Sequence, residues 1–310
     1  SFIKPDIGVL TAIAPAHLEQ FKTIAAIAKE KRVLISAVKP NGFAVLNKED
    51  ELVSTTTAPK DVTIRTYGFS QEADVNASDL YIHFKSGETD MGTNFKITME
   101  GSSIPAFLPR ITGRPSVLAA LAGVAVGQCM GINVVVATQA LTNLPRTPGR
   151  LSLIPGAKGE IIIDDTYNSS PLAVVAALEL LSQTSVTDIG RKIAVLGDML
   201  ELGDESVKWH EKVGEGIGAA PIDILVVMGE RARDIGRAAR EAGYDPAKIF
   251  SFGSNDQVIR FLQESVKPND VILIKGSQGM RMEKIVEALM AEKDKKETLL
   301  VRHDELWAGH

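Results

Sequence analysis

From Arg150 onward, short apolar runs alternate with amphipathic stretches, and that alternation limits the possible folds more than any other feature of the sequence. Runs rich in Val, Ile and Leu at 159–164, 192–196, 223–228, 248–252 and 270–275 are separated by helical patterns near 171–181, 231–242, 256–266 and 282–291. Strands without polar alternation are covered on both faces, and the intervening helices supply the cover. The pattern therefore predicts a mainly parallel sheet in a Rossmann-like α/β domain. Four of the strands run into Gly197, Gly229, Gly253 and Gly276. Turns at the carboxyl ends of parallel strands are where such folds hold ligands.

The first half is less regular. A buried strand is predicted at 7–13, a helix at 23–38 and a second strand at 42–46, in the same α/β style. Strand-like runs at 61–67, 79–84 and 93–100 follow without helices between them, which suggests a small antiparallel excursion. Residues 116–144 carry no charge, but Gln128, Gly131, Asn133 and Gln139 interrupt them. That reads as two short buried helices and not as a membrane span, which needs ~18 or more apolar residues in a row. Two prolines and a glycine in Leu144-Pro-Arg-Thr-Pro-Gly149 mark a linker, so we expect two domains, 1–146 and 147–310.

Composition narrows the class of partner. The net charge of −5 argues against a nucleic-acid or anionic-membrane binder. The single cysteine, Cys129, excludes an internal disulfide and fits a reducing cytoplasm. No secretory signal pattern opens the chain. No G-x-x-x-x-G-K-[ST] phosphate loop occurs anywhere in it. Gly214, Gly216 and Gly218 follow a helical stretch and not a strand, so they read as a loosely packed or broken helix and not as a dinucleotide fingerprint.

Three segments could carry chemistry. His17, in Ala14-Pro-Ala-His-Leu-Glu19, follows the first strand, and Lys31 lies in the next helix within Lys29-Glu-Lys-Arg32. Spacing alone leaves His17 open as ligand or surface residue and the lysines as a solvated face. The run Asp164-Asp-Thr-Tyr-Asn168 ends an apolar strand on two carboxylates, and Ser170-Pro171 then opens a helix. Strand termination and capping explain part of this. The polar density also suits a ribose hydroxyl, and the free amides at the helix start suit phosphate. Lys275-Gly-Ser277 follows the last strand.

Taken together, Pro15-Ala-His-Leu-Glu19, Ala28-Lys-Glu-Lys31, Gly149-Arg-Leu151, Asp164-Asp-Thr-Tyr-Asn168, Leu196-Gly-Asp-Met-Leu-Glu-Leu-Gly203 and Lys275-Gly-Ser277 resemble, in order and spacing, the Mur ligases of peptidoglycan synthesis. The resemblance implies part of the central ATPase domain followed by the whole Rossmann-like acceptor domain. The UDP-sugar domain and the phosphate loop have no counterpart in the chain, so a missing N-terminal portion or a partner chain is expected to supply them. Within the family, the variants of these motifs favour members that add D-alanyl-D-alanine to UDP-N-acetylmuramoyl-tripeptide.

The family uses ATP to phosphorylate the substrate carboxylate and then lets the acceptor amine displace phosphate. By resemblance, His17 and Lys31 are expected to serve the second Mg2+, with Lys31 carbamylated so that it offers the oxygen donors that Mg2+ prefers. Lysine reacts with carbon dioxide only as the free amine. Lys29 competes for the same role, and spacing from His17 favours Lys31. Arg150 is expected at the nucleotide phosphates, Asp165 at the ribose, Asn168 near nucleotide or acceptor, Asn47 at the nucleotide, and Lys275 and Ser277 at the acceptor or growing peptide. Asp198 and Glu201 read as exposed or capping residues, and His210 as structural or exposed. One departure stands out. Ser116 and Ala119, in Gly113-Arg-Pro-Ser-Val-Leu-Ala-Ala120, stand where the family usually has adenine-binding asparagines, and Gln278 replaces a common arginine.

Overall fold

The structure is a computed structural model that describes residues 3–14, 21, 23–83, 91–144, 147–184, 190–218 and 220–302. It divides into two compact units. The first runs to His83 and includes Gly92–Pro109 and Arg114–Leu144, and the second takes in Arg110–Gly113 and the chain after Leu144.

In the first unit, β1 (Ile7–Leu10), β2 (Phe43–Asn47), β3 (Thr63–Gly68), β4 (Val75–His83), β5 (Gly92–Met99) and β6 (Ser102–Pro109) form one sheet in sequence order. Helix α1 (Ile24–Ser36) starts at Thr23, whose hydroxyl accepts from the Ala26 amide at 3.1 Å. It packs Ile27, Ala28 and Ile35 with Ala44 and Leu46 in one apolar cluster. Period-two alternation turns Val45 to the other face, and α3 (Arg114–Cys129) packs against β2, β3 and β4. A short α2 (Glu51–Ser54) follows β2, and α4 (Val134–Ala140) follows α3. The uncharged stretch is thus two helices, but only α3 is substantially buried: α4 buries Thr138 alone and leaves Val135 and Val136 exposed. Among the described residues no helix is long and apolar enough to cross a membrane.

The excursion predicted at 61–100 is only partly antiparallel. β3 is parallel to β2 along its length, and β4 begins parallel to β3 through Tyr67↔Val75 and Gly68↔Asn76. A short loop suffices because β4 starts beside the end of β3 and runs onward, so no full strand length has to be retraced. Only β4, β5 and β6 are mutually antiparallel. Strand β6 has no strong sequence signal because it contains Pro105 and Pro109. Proline lacks the ladder donor and is tolerated at a sheet edge, which is where β6 lies.

The second unit contains β7 (Ser152–Pro155), β8 (Ile161–Asp165), α5 (Pro171–Gln183), β9 (Lys192–Gly197), α6 (Ser206–Ile217), β10 (Ile224–Met228), α7 (Ala232–Glu241), β11 (Ile249–Phe252), α8 (Asn255–Ser265), β12 (Val271–Lys275), α9 (Glu283–Leu289) and α10 (Lys296–Leu299). Strand order is β11-β10-β9-β12-β8-β7, parallel except for the β7–β8 pair. Every residue of β8 and β12 is buried, as expected of central parallel strands. Ile162, Ile193, Val195, Ile272 and Ile274 pack with Val258, Leu262, Ile285 and Leu289 beneath α8 and α9. Each such aliphatic side chain contributes about 1.5–3 kcal/mol on burial.

Helix α6 corrects the reading of Gly214, Gly216 and Gly218. The helix is unbroken through Gly214 and Gly216, and it is tightly packed. A Cβ on Gly214 would stand 2.3 Å from the Ile235 carbonyl oxygen, and one on Gly218 2.6 Å from Ala242 Cβ. These two glycines let α6 and α7 approach closely. Gly216 faces open space.

Candidate functional site

At the carboxyl end of the second sheet, the register of β8 and β12 pairs Asp165 with Lys275. Lys275 is 2% exposed, and its ammonium donates to Asp165 Oδ2 at 2.7 Å and to the Asn168 carbonyl at 2.9 Å. Asp165 Oδ1 also accepts from the Leu151 amide at 3.3 Å. The two residues that the sequence singled out for separate roles are therefore one buried ion pair. Each Asp165 oxygen keeps a second lone pair.

Asp164, the preceding residue of β8, is fully buried. Its Oδ2 accepts from the Gly149 amide at 3.1 Å, and its Oδ1 from the Thr166 amide and hydroxyl at 3.2 and 2.7 Å. Burial pushes this carboxyl up to about 7, with a smaller push from Asp165, against the lowering effect of its hydrogen bonds. The two aspartates thus fasten the residues on either side of Arg150. Gly149 and Leu151 both have positive φ, 67° and 49°, which bends the chain into an arch with Arg150 at its crown. The exposed Arg150 guanidinium lies 4.1 Å from the centroid of the Tyr167 ring. Among the described residues it has no carboxylate partner, so its charge is stacked but not neutralised.

Ser277 fastens three loops at the same edge. Its hydroxyl accepts from the Leu200 amide at 2.8 Å and donates to the Ser169 carbonyl at 3.4 Å, and its amide donates to the Asp198 carbonyl at 3.0 Å. Asp198 caps α7 from outside the helix by accepting from the Ala232 amide at 2.7 Å. His210 is fully buried and structural: Nε2 accepts from the Met199 amide at 3.0 Å, and Nδ1 lies 2.7 Å from the Ser206 carbonyl. That network assigns the proton to Nδ1, and burial lowers the pKa of the ring. Ser170 takes the extended N-cap conformation before Pro171 without a side-chain capping bond. Asn168 is exposed, and its Oδ1 accepts from the Ser169 amide at 2.8 Å.

In the first unit, the loops after β1 and β2 are stitched together. Asn47 donates from Nδ2 to the Thr11 carbonyl at 2.8 Å and accepts on Oδ1 from the Glu49 amide at 2.9 Å. Its polar ends serve the fold itself. Asp50 accepts from the Ile13 amide at 2.7 Å and caps α2 through the Val53 amide. Glu49 accepts from the Phe69 and Ser70 amides and pairs with Arg114 at 3.4 Å, and that guanidinium lies 3.7 Å from the Phe69 ring centroid. Lys31 and Lys29 are both exposed but line different clefts. Lys31 faces Thr11 and Ala12 at the end of β1, whereas Lys29 faces Arg32, Thr55 and Thr56. His17 lies outside the described residues. Among the described residues, no group of three His, Cys, Asp or Glu side chains is gathered that could hold a metal ion.

Sequence patterns placed Asp164 and Tyr167 in a polar run without a separate role for either, and gave none to Arg302. The Arg302 guanidinium reaches the carbonyls of Thr166 and Tyr167, 136 and 135 residues away in sequence, and pairs with Glu283. The doubled carboxylate at the end of β8 is the one local signal for this cluster, and it says nothing of Arg302.

Comparison with known proteins matches both units. Residues 1–127 fit the family model described as the Mur ligase middle domain, and residues 149–278 fit the one described as Mur ligase, glutamate ligase domain. The UDP-N-acetylmuramoyl-tripeptide–D-alanyl-D-alanine ligase of Bacillus subtilis is 30% identical over 286 residues, covering 92% of this chain and 59% of that protein. Its namesake in Escherichia coli is 30% identical over 93% of this chain and 61% of its own length. The chain thus spans about three fifths of the relatives that it matches. Among solved structures, the MurF ligase of Thermotoga maritima in complex with ADP superposes with a TM-score of 0.78 at 27% identity, covering 94% of this chain and 63% of that one. MurF from Acinetobacter baumannii gives 0.76 at 26% identity, over 91% and 59%.

Proposed function

Because the chain belongs to the Mur ligase family, we propose that it contributes part of the ATPase domain and the acceptor domain of a ligase that joins D-alanyl-D-alanine to UDP-N-acetylmuramoyl-tripeptide. The observation that carries this reading is the Arg150 arch. A cation without a carboxylate partner among the described residues stands on a braced turn, beside the buried Asp165–Lys275 pair at the carboxyl edge of a parallel sheet. The B. subtilis and E. coli relatives carry that activity in their names.

The reaction transfers the γ-phosphoryl group of ATP to the terminal carboxylate of the tripeptide, forming an acyl phosphate and releasing ADP. The acceptor amine then attacks the acyl carbon, and phosphate leaves from a tetrahedral intermediate. The first step needs positive charge around the phosphates, and the second needs the amine held in line. Arg150 supplies a guanidinium fork suited to phosphate. Asp165 offers its spare lone pairs to the ribose, Asn168 its exposed amide to nucleotide or acceptor, and Lys275 and Ser277 fix the loops against which the acceptor lies. Asn47 acts at the nucleotide edge of the first unit by setting the loop after β2.

Mg2+ bound at His17 and carbamylated Lys31 would neutralise phosphate charge. Lys31 is exposed and faces the end of β1, whereas His17 lies outside the described residues. The proposed substrates and the single thiol, Cys129, fit a cytoplasmic enzyme.

An acceptor competition assay tests the assignment. Supplied with a phosphate-loop portion, the chain is expected to consume D-alanyl-D-alanine. Turnover of only a free amino acid would make it another Mur-type ligase. The chain holds no phosphate-loop motif and carries Ser116 and Ala119 in the adenine segment, so by itself we expect it to release no phosphate from ATP. Acceptor-dependent phosphate release by the chain alone would contradict this.

A further inference from the structure

The Arg150 arch rests on a floor from the far end of the chain. Gly149 is closed in: a Cβ there would meet the Tyr167 amide nitrogen at 2.8 Å and Val301 Cγ1 at 3.0 Å. The Tyr167 amide donates to the Gly149 carbonyl at 3.0 Å, so the two turns are tied through their backbones. Directly after Val301, the Arg302 guanidinium donates to the Tyr167 carbonyl at 2.7 Å and to the Thr166 carbonyl from both terminal nitrogens, at 3.3 and 3.2 Å. Its charge is met by Glu283 at 2.7 Å, and that carboxylate also takes Arg281 Nε at 2.6 Å. The side chains of Arg302 and Glu283 are only 4% and 1% exposed.

A buried arginine spanning two adjacent carbonyls does more than balance a carboxylate. The planar fork sets the orientation of the peptide that carries Tyr167, and a lysine could not hold both carbonyls with the same geometry. Tyr167, 43% exposed, offers its ring to Arg150. A continuous path therefore runs from Glu283 through Arg302 and the Tyr167 backbone to the Arg150 guanidinium. Residues 283–302 lie beyond the stretch matched by the family model of this unit.

We infer that Arg302 is a positioning residue for Arg150: by holding the Thr166–Tyr167 backbone against Val301 and Gly149, it fixes the ring on which the phosphate-binding guanidinium is stacked. The inference rests on the reading of Arg150 as a phosphate contact, and it names a residue outside the motifs that suggested that reading. Arg302 does not itself touch the ligand.

The test uses the full chain. The Nε–Hε resonance of Arg150, identified by its loss in Arg150→Lys, reports ring stacking without any ligand. Arg302→Lys is expected to move it toward the unstacked position given by Tyr167→Leu, while the melting temperature stays that of a folded protein. Should Arg302→Lys unfold the chain, Glu283→Gln, which keeps Arg302 but takes away its buried charge partner and so loosens its hold on the two carbonyls, is expected to shift the resonance partway. An unmoved resonance in a folded variant overturns the inference.

ADP affinity by calorimetry, measured on the chain joined to a phosphate-loop portion, supplies the second arm. Arg302→Lys is expected to weaken ADP about tenfold in the wild-type background and not at all in Arg150→Ala, because coupled residues are non-additive. Equal losses in both backgrounds would show that Arg302 acts elsewhere and would overturn it. If Arg150→Ala leaves ADP affinity unchanged, the phosphate role proposed for Arg150 fails, and the positioning role falls with it even where the resonance moves.

Discussion

Lys275 Nζ lies 2.7 Å from Asp165 Oδ2, between neighbouring strands whose register sets the two residues side by side. Both charges are largely withdrawn from water, their side chains being 2% and 9% exposed. An ion pair held so deeply is weak evidence for stability as such, since desolvation offsets most of the attraction. Its one-sided removal is another matter, because the remaining charge is left buried without a partner.

Lys275→Met should therefore destabilise the chain by about 3–5 kcal/mol. Adding Asp165→Leu should restore much of that loss. Urea denaturation of the two variants checks this. A double variant as unstable as the single one would show that the pair does more than neutralise itself.

Asp164 makes stability depend on pH in the direction opposite to most aspartates. Its carboxyl is raised to about 7 in the fold, from an ordinary value of 3.8, chiefly by burial. Between those values the native state holds a proton that the unfolded chain has lost. Its contribution is therefore complete below about pH 4 and is lost as pH rises through 7. Asp164→Asn should flatten the denaturation free energy across that window. An unchanged slope would place the titration in another group.

His210 works the other way. Burial lowers its pKa, because its Nε2 must stay unprotonated to accept from the Met199 amide. The stability it gives is complete above the unfolded value of about 6.5 and declines as pH falls below it. His210→Ala should remove that acid sensitivity. It should also cost about 2–4 kcal/mol from the cavity and the stranded amide. A variant that keeps the wild-type acid limb would contradict this.

The two helical glycines separate packing from propensity. Gly214→Ala would place a methyl 2.3 Å from the Ile235 carbonyl and force α6 from α7, at about 1–3 kcal/mol or more. Gly216→Ala meets open space and should stabilise the helix by about 0.5–1 kcal/mol. Thermal melts of the pair should shift in opposite directions.

Lys31 and Lys29 occupy different clefts, so their roles are separable. Lys31→Ala should abolish ligation by the complete enzyme, with partial rescue by a short carboxylic acid, and Lys29→Ala should leave it active. The reverse outcome would move the modified lysine to position 29.

Much of the second unit was legible because buried parallel strands carry an unbroken apolar signal and their turns carry glycine. The weaker elements were edge strands, β6 with Pro105 and Pro109, and β7 ending at Pro155. An edge position relaxes the rules by which a strand is recognised. Asp165, Lys275, Ser277 and Arg150 drew attention one by one, yet nothing in the local pattern says that Asp165 and Lys275 meet. Arg302 could not be found at all. Its role depends on two carbonyls, and carbonyls leave no mark in a sequence. Gly214 was misread because helix propensity disfavours glycine, whereas close helix approach requires it.

The most direct measurement follows amide formation by the chain joined to the phosphate-loop portion of the B. subtilis ligase, with UDP-N-acetylmuramoyl-tripeptide, ATP, and either D-alanyl-D-alanine or single amino acids as acceptor. We expect product, and ADP in equal amount, with the dipeptide. Product with a single amino acid and none with D-alanyl-D-alanine would contradict the assignment.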